Sequence, residues 1–137
     1  MKPVTQTMFN PKPGKPDTGN CFQCALASIL ELPVEAVPHF YQEEANPAKA
    51  MDNIQTWLGR RGLILIEIQF GGENLQMFPC FHLLSGLSPR GDFFHTVVAL
   101  NGEIVHDPHP SREGLKSYKG ASYGFLVAIR PEEMKEK

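Results

Sequence analysis

The most regular part of the first half of the chain is the stretch Gly19-Asn20-Cys21-Phe22-Gln23-Cys24-Ala25-Leu26-Ala27-Ser28-Ile29-Leu30. Its apolar residues recur at the i, i+3, i+4, i+7 and i+8 spacing that forms one buried helical face, namely Phe22, Ala25, Leu26, Ile29 and Leu30. Asp17, Thr18 and Asn20 are candidate cap residues before this face, and Pro33 limits the helix at its far end. The pattern therefore predicts a helix of about 11 residues whose first turn carries Cys21.

The segments around this helix are less regular. Residues 1–19 are rich in Pro, Gly and Lys and have neither a helical nor a strand period, so they predict an extended N-terminal segment. Beyond the helix, residues 33–37 favour one short helical turn. A second helix is expected from about residue 47 to residue 60, with Gly62 just past its end.

The second half of the chain has the pattern of β-structure. Strands are expected at residues 63–70, 78–85, 94–100, 103–107 and 123–130. A turn is expected at Gly71-Gly72, Asn101-Gly102 is a typical two-residue hairpin turn, and residues 131–137 form a charged tail. Helices followed by antiparallel strands predict the α+β class, and residues 1–137 fit a single domain.

Composition argues against several classes of function. The 15 acidic and 13 basic residues give a net charge of −2, which provides no basic surface for nucleic acid or an anionic membrane. The apolar run at residues 63–66 ends at Glu67, so no membrane span is expected. The N-terminus lacks the apolar region of a secretory signal, and 3 cysteines are an odd number for a disulfide scaffold. We therefore expect a cytoplasmic protein with reduced thiols.

Three residues stand where a thiol hydrolase needs them. Cys21 opens the first helix, His95 opens one strand of the hairpin and Asp107 ends the other. In a regular hairpin around Asn101-Gly102, paired residue numbers sum to 203, so His95 lies opposite position 108 with Asp107 as a diagonal neighbour. A twist or bulge would shift this register by one residue. The hairpin thus predicts that His95 and Asp107 lie within reach of each other.

The chemistry follows from this placement. Unpaired N–H groups at a helix N-terminus, together with a nearby imidazolium, favour the thiolate of Cys21 and make it a nucleophile. Asp107 would accept a hydrogen bond from His95 and fix its tautomer. The backbone N–H of Cys21 would donate to a developing oxyanion, and a side-chain amide is the natural second donor. No cofactor is required for this reaction.

The order of these residues resembles that of the papain-like cysteine peptidase superfamily. The stretches Gly19-Asn20-Cys21 and His95-Thr96-Val97-Val98, with Asn101-Gly102 and His106-Asp107-Pro108-His109-Pro110-Ser111, are similar to small bacterial and phage members. The likeness spans about residues 4–115. It implies a minimal papain-like domain in which an N-terminal helix carrying the nucleophile packs on an antiparallel sheet. It also implies that Gln6, the glutamine upstream of Cys21, completes the oxyanion hole.

Other interpretations of the same residues remain open. Cys21 and Cys24 form a C-x-x-C motif that could serve redox chemistry, although such motifs usually follow a strand rather than a Pro/Gly-rich loop. Cys21 and Cys24 with His106 and His109 would also make a zinc set of two thiols and two imidazoles. A non-catalytic binding module with the same fold is therefore the alternative hypothesis.

The favoured hypothesis is an enzyme. Cys21, His95 and Asp107 would cleave an amide, isopeptide or thioester bond in a protein, peptide or peptidoglycan-type substrate, with no bound metal. Hydrolysis, transfer to an amine and deamidation would use the same three residues.

Overall fold

Helices precede strands in a computed structural model of the chain, which describes residues 1–9, 19–69, 76 and 78–130. The helices are α1 (Cys21–Leu30), α2 (Phe40–Glu43) and α3 (Pro47–Gly59), with a 3₁₀ turn at Val34–Ala36. The strands are β1 (Leu63–Gln69), β2 (Phe81–Leu87), β3 (Phe94–Leu100), β4 (Glu103–His106) and β5 (Ser122–Ala128).

The strands form one antiparallel sheet in the order β1-β5-β2-β3-β4. The last strand in the chain, β5, lies between the first two, so β1 and β2 are joined through it rather than paired with each other. Helices followed by an antiparallel sheet confirm the predicted α+β class.

Helix α1 packs across β3 and β2 and buries its apolar side. Leu26, with Ala25 and Ala27, lies in a core that includes Leu83 and Val98 of the sheet. The helix ends where Glu31 takes a left-handed conformation with φ of 57° and its N–H bonds back to the last turn. The apolar stripe that predicted the helix is thus the stripe that fixes it on the sheet.

Helix α3 covers the edge strand β1. Asn46 caps it by accepting the N–H groups of Ala48 and Lys49, and Pro47 occupies the first turn. From the middle of α3, Gln55 donates to the carbonyl of Leu65 at 2.8 Å and accepts its N–H at 3.0 Å. A side-chain amide thereby satisfies backbone groups at the exposed edge of the sheet.

Residues 1–9 run beside α1 without helix or strand, as expected for an extended segment. The backbone N–H groups of Lys2 and Val4 donate to the carbonyl and hydroxyl of Ser28 on α1. Further along, Gln6 N–H donates to the carbonyl of Pro108 at 2.8 Å. The segment therefore connects α1 with the residues that follow β4.

Several boundaries differ from the predictions. β2 begins at Phe81 rather than residue 78, because Pro79 has no N–H to donate to a strand ladder. The four-residue α2 was not predicted, since one turn is too short to show a period. Asp17, Thr18, the turn at Gly71-Gly72 and the tail at residues 131–137 lie outside the described residues. Among the described helices, none has the length and apolarity that a bilayer crossing requires.

Candidate active site

Cys21 is the first residue of α1 and is partly exposed. Asn20, the residue before it, does not cap the helix with its side chain. Its carboxamide oxygen instead accepts the N–H groups of Thr7 at 3.2 Å and Met8 at 3.0 Å. The first turn of α1 therefore has no side-chain cap from Asn20, and the positive end of the helix dipole acts on the Cys21 thiol.

His95 and Asp107 form a buried pair. Nε2 of His95 lies 2.6 Å from Oδ1 of Asp107, and the two residues are only 3% and 4% exposed. Cys21 also lies close enough to the His95 ring to raise its pKa. Because Asp107 occupies Nε2, the nitrogen that remains for Cys21 is Nδ1. The structure thus brings together the three residues predicted to form the triad.

A β-bulge sets the position of Asp107. Leu100 pairs with Glu103 and Ala99 with Ile104, as the predicted register requires, but Val98 then pairs with His106. The predicted partner of Val98 is residue 105, so the extra residue in β4 makes the predicted register wrong by one position from Val98 towards the start of β3. Asp107 leaves the ladder after the bulge and still reaches His95, because the contact depends on the chain after β4 rather than on strand pairing.

Backbone N–H groups hold the Asp107 carboxylate from its other sides. His109 N–H donates to Oδ1 at 2.9 Å and Gly114 N–H donates to Oδ2 at 2.7 Å. Gly114 has a φ of 75°, a left-handed conformation that favours glycine. The guanidinium of Arg112 donates to the Asp107 carbonyl and to the Thr5 hydroxyl. These supporting residues were not predicted, because Asp107-Pro108 and Gly114 indicate only a turn or loop in the sequence.

Burial and hydrogen bonding shift the pKa values of His95 and Asp107 in opposite directions. Burial alone would lower the pKa of His95, but its hydrogen bonds with Asp107 and Cys21 outweigh burial and raise the pKa to about 9. Burial would likewise raise the pKa of Asp107, but the N–H donors of His95, Gly114 and His109 lower it below the usual range. His95 is therefore an imidazolium at neutral pH, next to an ionised carboxylate.

Gln6 is 5% exposed and lies beside the start of α1. Its Nε2 donates to the carbonyl of Met8 at 2.9 Å, and the same carbonyl accepts the N–H of Asn20 at 3.1 Å. This bond uses one of the two Nε2 hydrogens, which leaves one for an oxyanion. Oε1 is buried and has no partner among the described residues. Gln6 is thus close to the Cys21 backbone, and its role in the oxyanion hole stays a prediction.

The residues of the zinc hypothesis do not come together. Among the described residues, no group of three or more His, Cys, Asp or Glu side chains is arranged to hold a metal ion. Nε2 of His106 bonds to the carbonyl of Val4 at 2.8 Å, and Nδ1 of His109 bonds to Ser111. Both histidines are thereby engaged with parts of the chain other than Cys21.

Cys24 does not share the environment of Cys21. It is 0% exposed, and burial, followed by the charge of Cys21, raises its pKa to about 12. Cys24 therefore remains a protonated thiol on the buried side of α1. Thiol–disulfide exchange needs an accessible thiolate instead.

A cavity of about 390 Å³ opens beside Cys21. Its walls include the aromatic rings of Phe22, Tyr41 and Phe94, and its floor includes polar side chains of the sheet such as Thr96. The thiol thus faces a space of the size that holds a substrate side chain.

Comparisons of the chain with protein-family models, with curated proteins and with solved structures find no match. The argument for function therefore depends on the arrangement of Cys21, His95 and Asp107 and on the cavity next to them.

Proposed function

We propose that this chain is a papain-like cysteine hydrolase or acyl transferase that acts on an amide, isopeptide or thioester bond. One observation carries the proposal: the buried His95 ring has the Asp107 carboxylate at 2.6 Å on one nitrogen, and Cys21 lies close enough to the ring to raise its pKa. The thiol stands at the uncapped start of a helix. A nucleophile, a proton carrier and an orienting acid in this order are the parts of a thiol hydrolase.

Acylation would start from the thiolate of Cys21 and the imidazolium of His95. The sulfur attacks the carbonyl carbon, and the carbonyl oxygen becomes an oxyanion that accepts the N–H groups of Cys21 and Gln6. As the tetrahedral intermediate collapses, His95 gives its proton to the leaving amine or thiol. The products of this half-reaction are the free leaving group and a thioester on Cys21.

Deacylation reverses the proton transfers. His95, now neutral, takes a proton from water while the water oxygen attacks the thioester, and the carboxylic product leaves as Cys21 is restored. An amine in place of water would give transfer, and ammonia as the leaving group would give deamidation. Asp107 keeps the ring in one orientation and stabilises its positive charge throughout.

Hydrolysis of 4-nitrophenyl acetate, together with the intact mass of the trapped acyl-enzyme, tests the proposal without a known substrate. We expect wild-type turnover with one acetyl group on Cys21, no turnover in Cys21→Ala, a nearly equal loss in His95→Ala and a smaller loss in Asp107→Ala. Cys80→Ala, which removes an exposed thiol, is the control and should match the wild type. Turnover that survives in Cys21→Ala would contradict the proposal.

A further inference from the structure

The cavity beside Cys21 has a row of polar side chains across its floor. Strand pairing places Gln69 opposite Ser122, Ser122 opposite Ser85 and Ser85 opposite Thr96, so one polar row crosses four strands. The row lies on the face of the sheet that α1 covers, two residues along from the buried Leu83 and Val98. A polar row at the open end of an apolar face is what a site for a polar ligand requires.

Glu67 supplies the charge of this cavity. The hydroxyl of Ser122 donates to Glu67 Oε2 at 3.0 Å, which orients the carboxylate, and Oε1 has no hydrogen-bond partner among the described residues. The hydroxyls of Ser85 and Thr96 are bonded to each other at 2.8 Å. Apart from Cys21 itself, Glu67 is the one described residue lining the cavity that has a formal charge at neutral pH. The cavity is therefore complementary to a cation.

Aromatic rings form the walls between Glu67 and Cys21. Phe22 and Tyr41 meet edge to face with ring centroids 5.4 Å apart. Phe94 lies at the rim and is 58% exposed. Burial, followed by the charge of Glu67, raises the pKa of Tyr41 to about 12, so the phenol stays neutral beside the carboxylate. Rings of this kind hold an alkyl stem and attract a cation at its end.

We propose that this cavity binds a lysine or arginine side chain of the substrate, next to the scissile carbonyl, with the cationic head on Glu67 and the stem between the aromatic rings. This inference deepens the proposed function, on which it rests for the position of the scissile bond. The guanidinium of arginine, with its two parallel N–H groups, suits a carboxylate held by one hydroxyl.

The test uses dipeptidyl vinyl sulfones in which either residue is arginine, norleucine or glutamate, with the rate of the Cys21 adduct measured by intact mass. In the wild-type chain we expect the better arginine probe to react about five- to tenfold faster than its glutamate counterpart, the scale of one partly exposed charge pair. Glu67→Gln should reduce this ratio to about twofold or less, and Glu67→Lys should invert it, since the sign of the local charge is then reversed. Glu35→Gln, an exposed carboxylate outside the cavity, is the matched control and should keep the wild-type ratio.

A binding measurement separates the two proposals. Acetyl-arginine amide and acetyl-glutamate amide are titrated into Cys21→Ala, and the backbone NMR signals of Ser122 and Thr96 are followed. Only the arginine compound should shift them, and Glu67→Gln should remove the shift. If Cys21 reacts equally with all vinyl sulfones and the arginine amide shifts nothing, the cavity inference is wrong and the cysteine hydrolase proposal stands. If Cys21 resists every probe while the arginine amide still binds at Glu67, the hydrolase proposal fails and the cation site remains.

Discussion

The three cysteines show how strongly local placement controls thiol chemistry. Cys21 is partly exposed at the start of α1 and lies beside the protonated imidazole of His95. Cys24, one turn later, is completely buried, and Cys80 is exposed just before β2. Of the three cysteines, only Cys21 stands both at a helix start and beside an imidazole, which is the placement of a nucleophilic thiol.

Cys21 should therefore be the thiol that iodoacetamide labels first at pH 6–7. Cys24 should resist labelling because burial holds its pKa at about 12, and Cys80, whose pKa burial also raises, should react more slowly than a free thiol. Peptide mapping after a short pulse measures the three rates. His95→Ala is the informative comparison, since removing the imidazolium should slow Cys21 and leave Cys80 unchanged. Equal labelling of all three native thiols would refute the assignment.

The ionisation of His95 depends on Asp107. The hydrogen bonds with Asp107 and Cys21 overcome burial and raise the pKa of His95 from its ordinary 6.5 to about 9. In Asp107→Asn the negative charge is lost, so the imidazolium is less stable and the pKa should fall. NMR titration of the His95 ring measures this shift directly. In an active preparation, the alkaline limb of kcat/KM should fall near pH 9 and move to lower pH in the variant. An unchanged His95 titration would show that the pair is not coupled.

Gln6 makes a separate prediction about the oxyanion. Gln6→Ala should reduce turnover by about 10²–10³-fold, the effect of removing one oxyanion donor. The domain should stay folded, because the bond lost with the side chain goes to the Met8 carbonyl, which keeps the N–H of Asn20. Gln42→Ala, an exposed glutamine on α2, is the control. Kinetics and urea unfolding of both variants check the prediction. If Gln6→Ala loses turnover only because it also unfolds, the prediction is wrong.

At the scale of elements, the start of α1 is held by the N-terminal segment rather than by a helix cap. Asn20 is 3% exposed, and its carboxamide accepts two N–H groups of that segment. Asn46 stands at the corresponding position of α3 and caps its own helix. Two asparagines at two helix starts thus serve different purposes, because the N-terminal segment runs beside the start of α1 and presents its N–H groups to Asn20.

This difference predicts distinct effects of the same substitution. Asn20→Ala leaves two N–H groups without their acceptor and should cost about 1–3 kcal/mol of unfolding free energy. It should also displace Gln6 and lower turnover. Asn46→Ala should cost about 1 kcal/mol, the usual value for a helix cap, and leave turnover unchanged. Urea unfolding and 4-nitrophenyl acetate turnover of the two variants are the measurements. Equal effects on turnover would mean that the N-terminal segment does not position the site.

At the scale of the whole molecule, two buried histidines should give stability a maximum near neutral pH. His82 accepts the N–H of Gly102 at 3.1 Å, donates to the carbonyl of Leu83 at 2.9 Å and stacks on Tyr123. Burial lowers its pKa below 6.5, so the unfolded chain takes up a proton more readily than the folded one. The contribution of His82 is present above pH 6.5 and is lost as the pH falls from there towards its lowered pKa.

His95 has the opposite sign. Its pKa is raised to about 9, so its contribution is fully present below pH 6.5 and is lost as the pH rises through 9. Urea unfolding between pH 5 and 10 should therefore show the free energy of unfolding decreasing in both directions. His95→Ala should remove the decrease between pH 6.5 and 9 and keep the acidic one, while the buried Cys24 thiol still lowers stability above pH 9. The pKa of the loop histidine His109 is also lowered. In His109→Asn the acidic decrease should therefore persist if it comes from His82. A monotonic pH profile would contradict this account.

The sequence by itself determined the elements whose residues interact locally. The apolar stripe of α1, the hairpin at Asn101-Gly102 and the α+β order follow from short-range periodicity and turn chemistry, which do not need the rest of the chain. The same patterns placed Cys21 at a helix start and put His95 and Asp107 at one end of the hairpin. Residues separated by 74 positions were assigned to one site because their chemical types complement each other.

Only the tertiary structure decided the contacts that depend on long-range packing. The insertion of β5 between β1 and β2 creates the polar row from Gln69 to Thr96, and no local pattern reveals which strands become neighbours. The bulge opposite Val98 and Ala99 moved Asp107 off the predicted register. The backbone N–H groups of Gly114 and His109 hold its carboxylate. The burial of His95 and the interactions that raise its pKa against that burial have the same origin. Desolvation and strand order both depend on contacts between segments that are distant in the chain, so they are properties of the assembled fold.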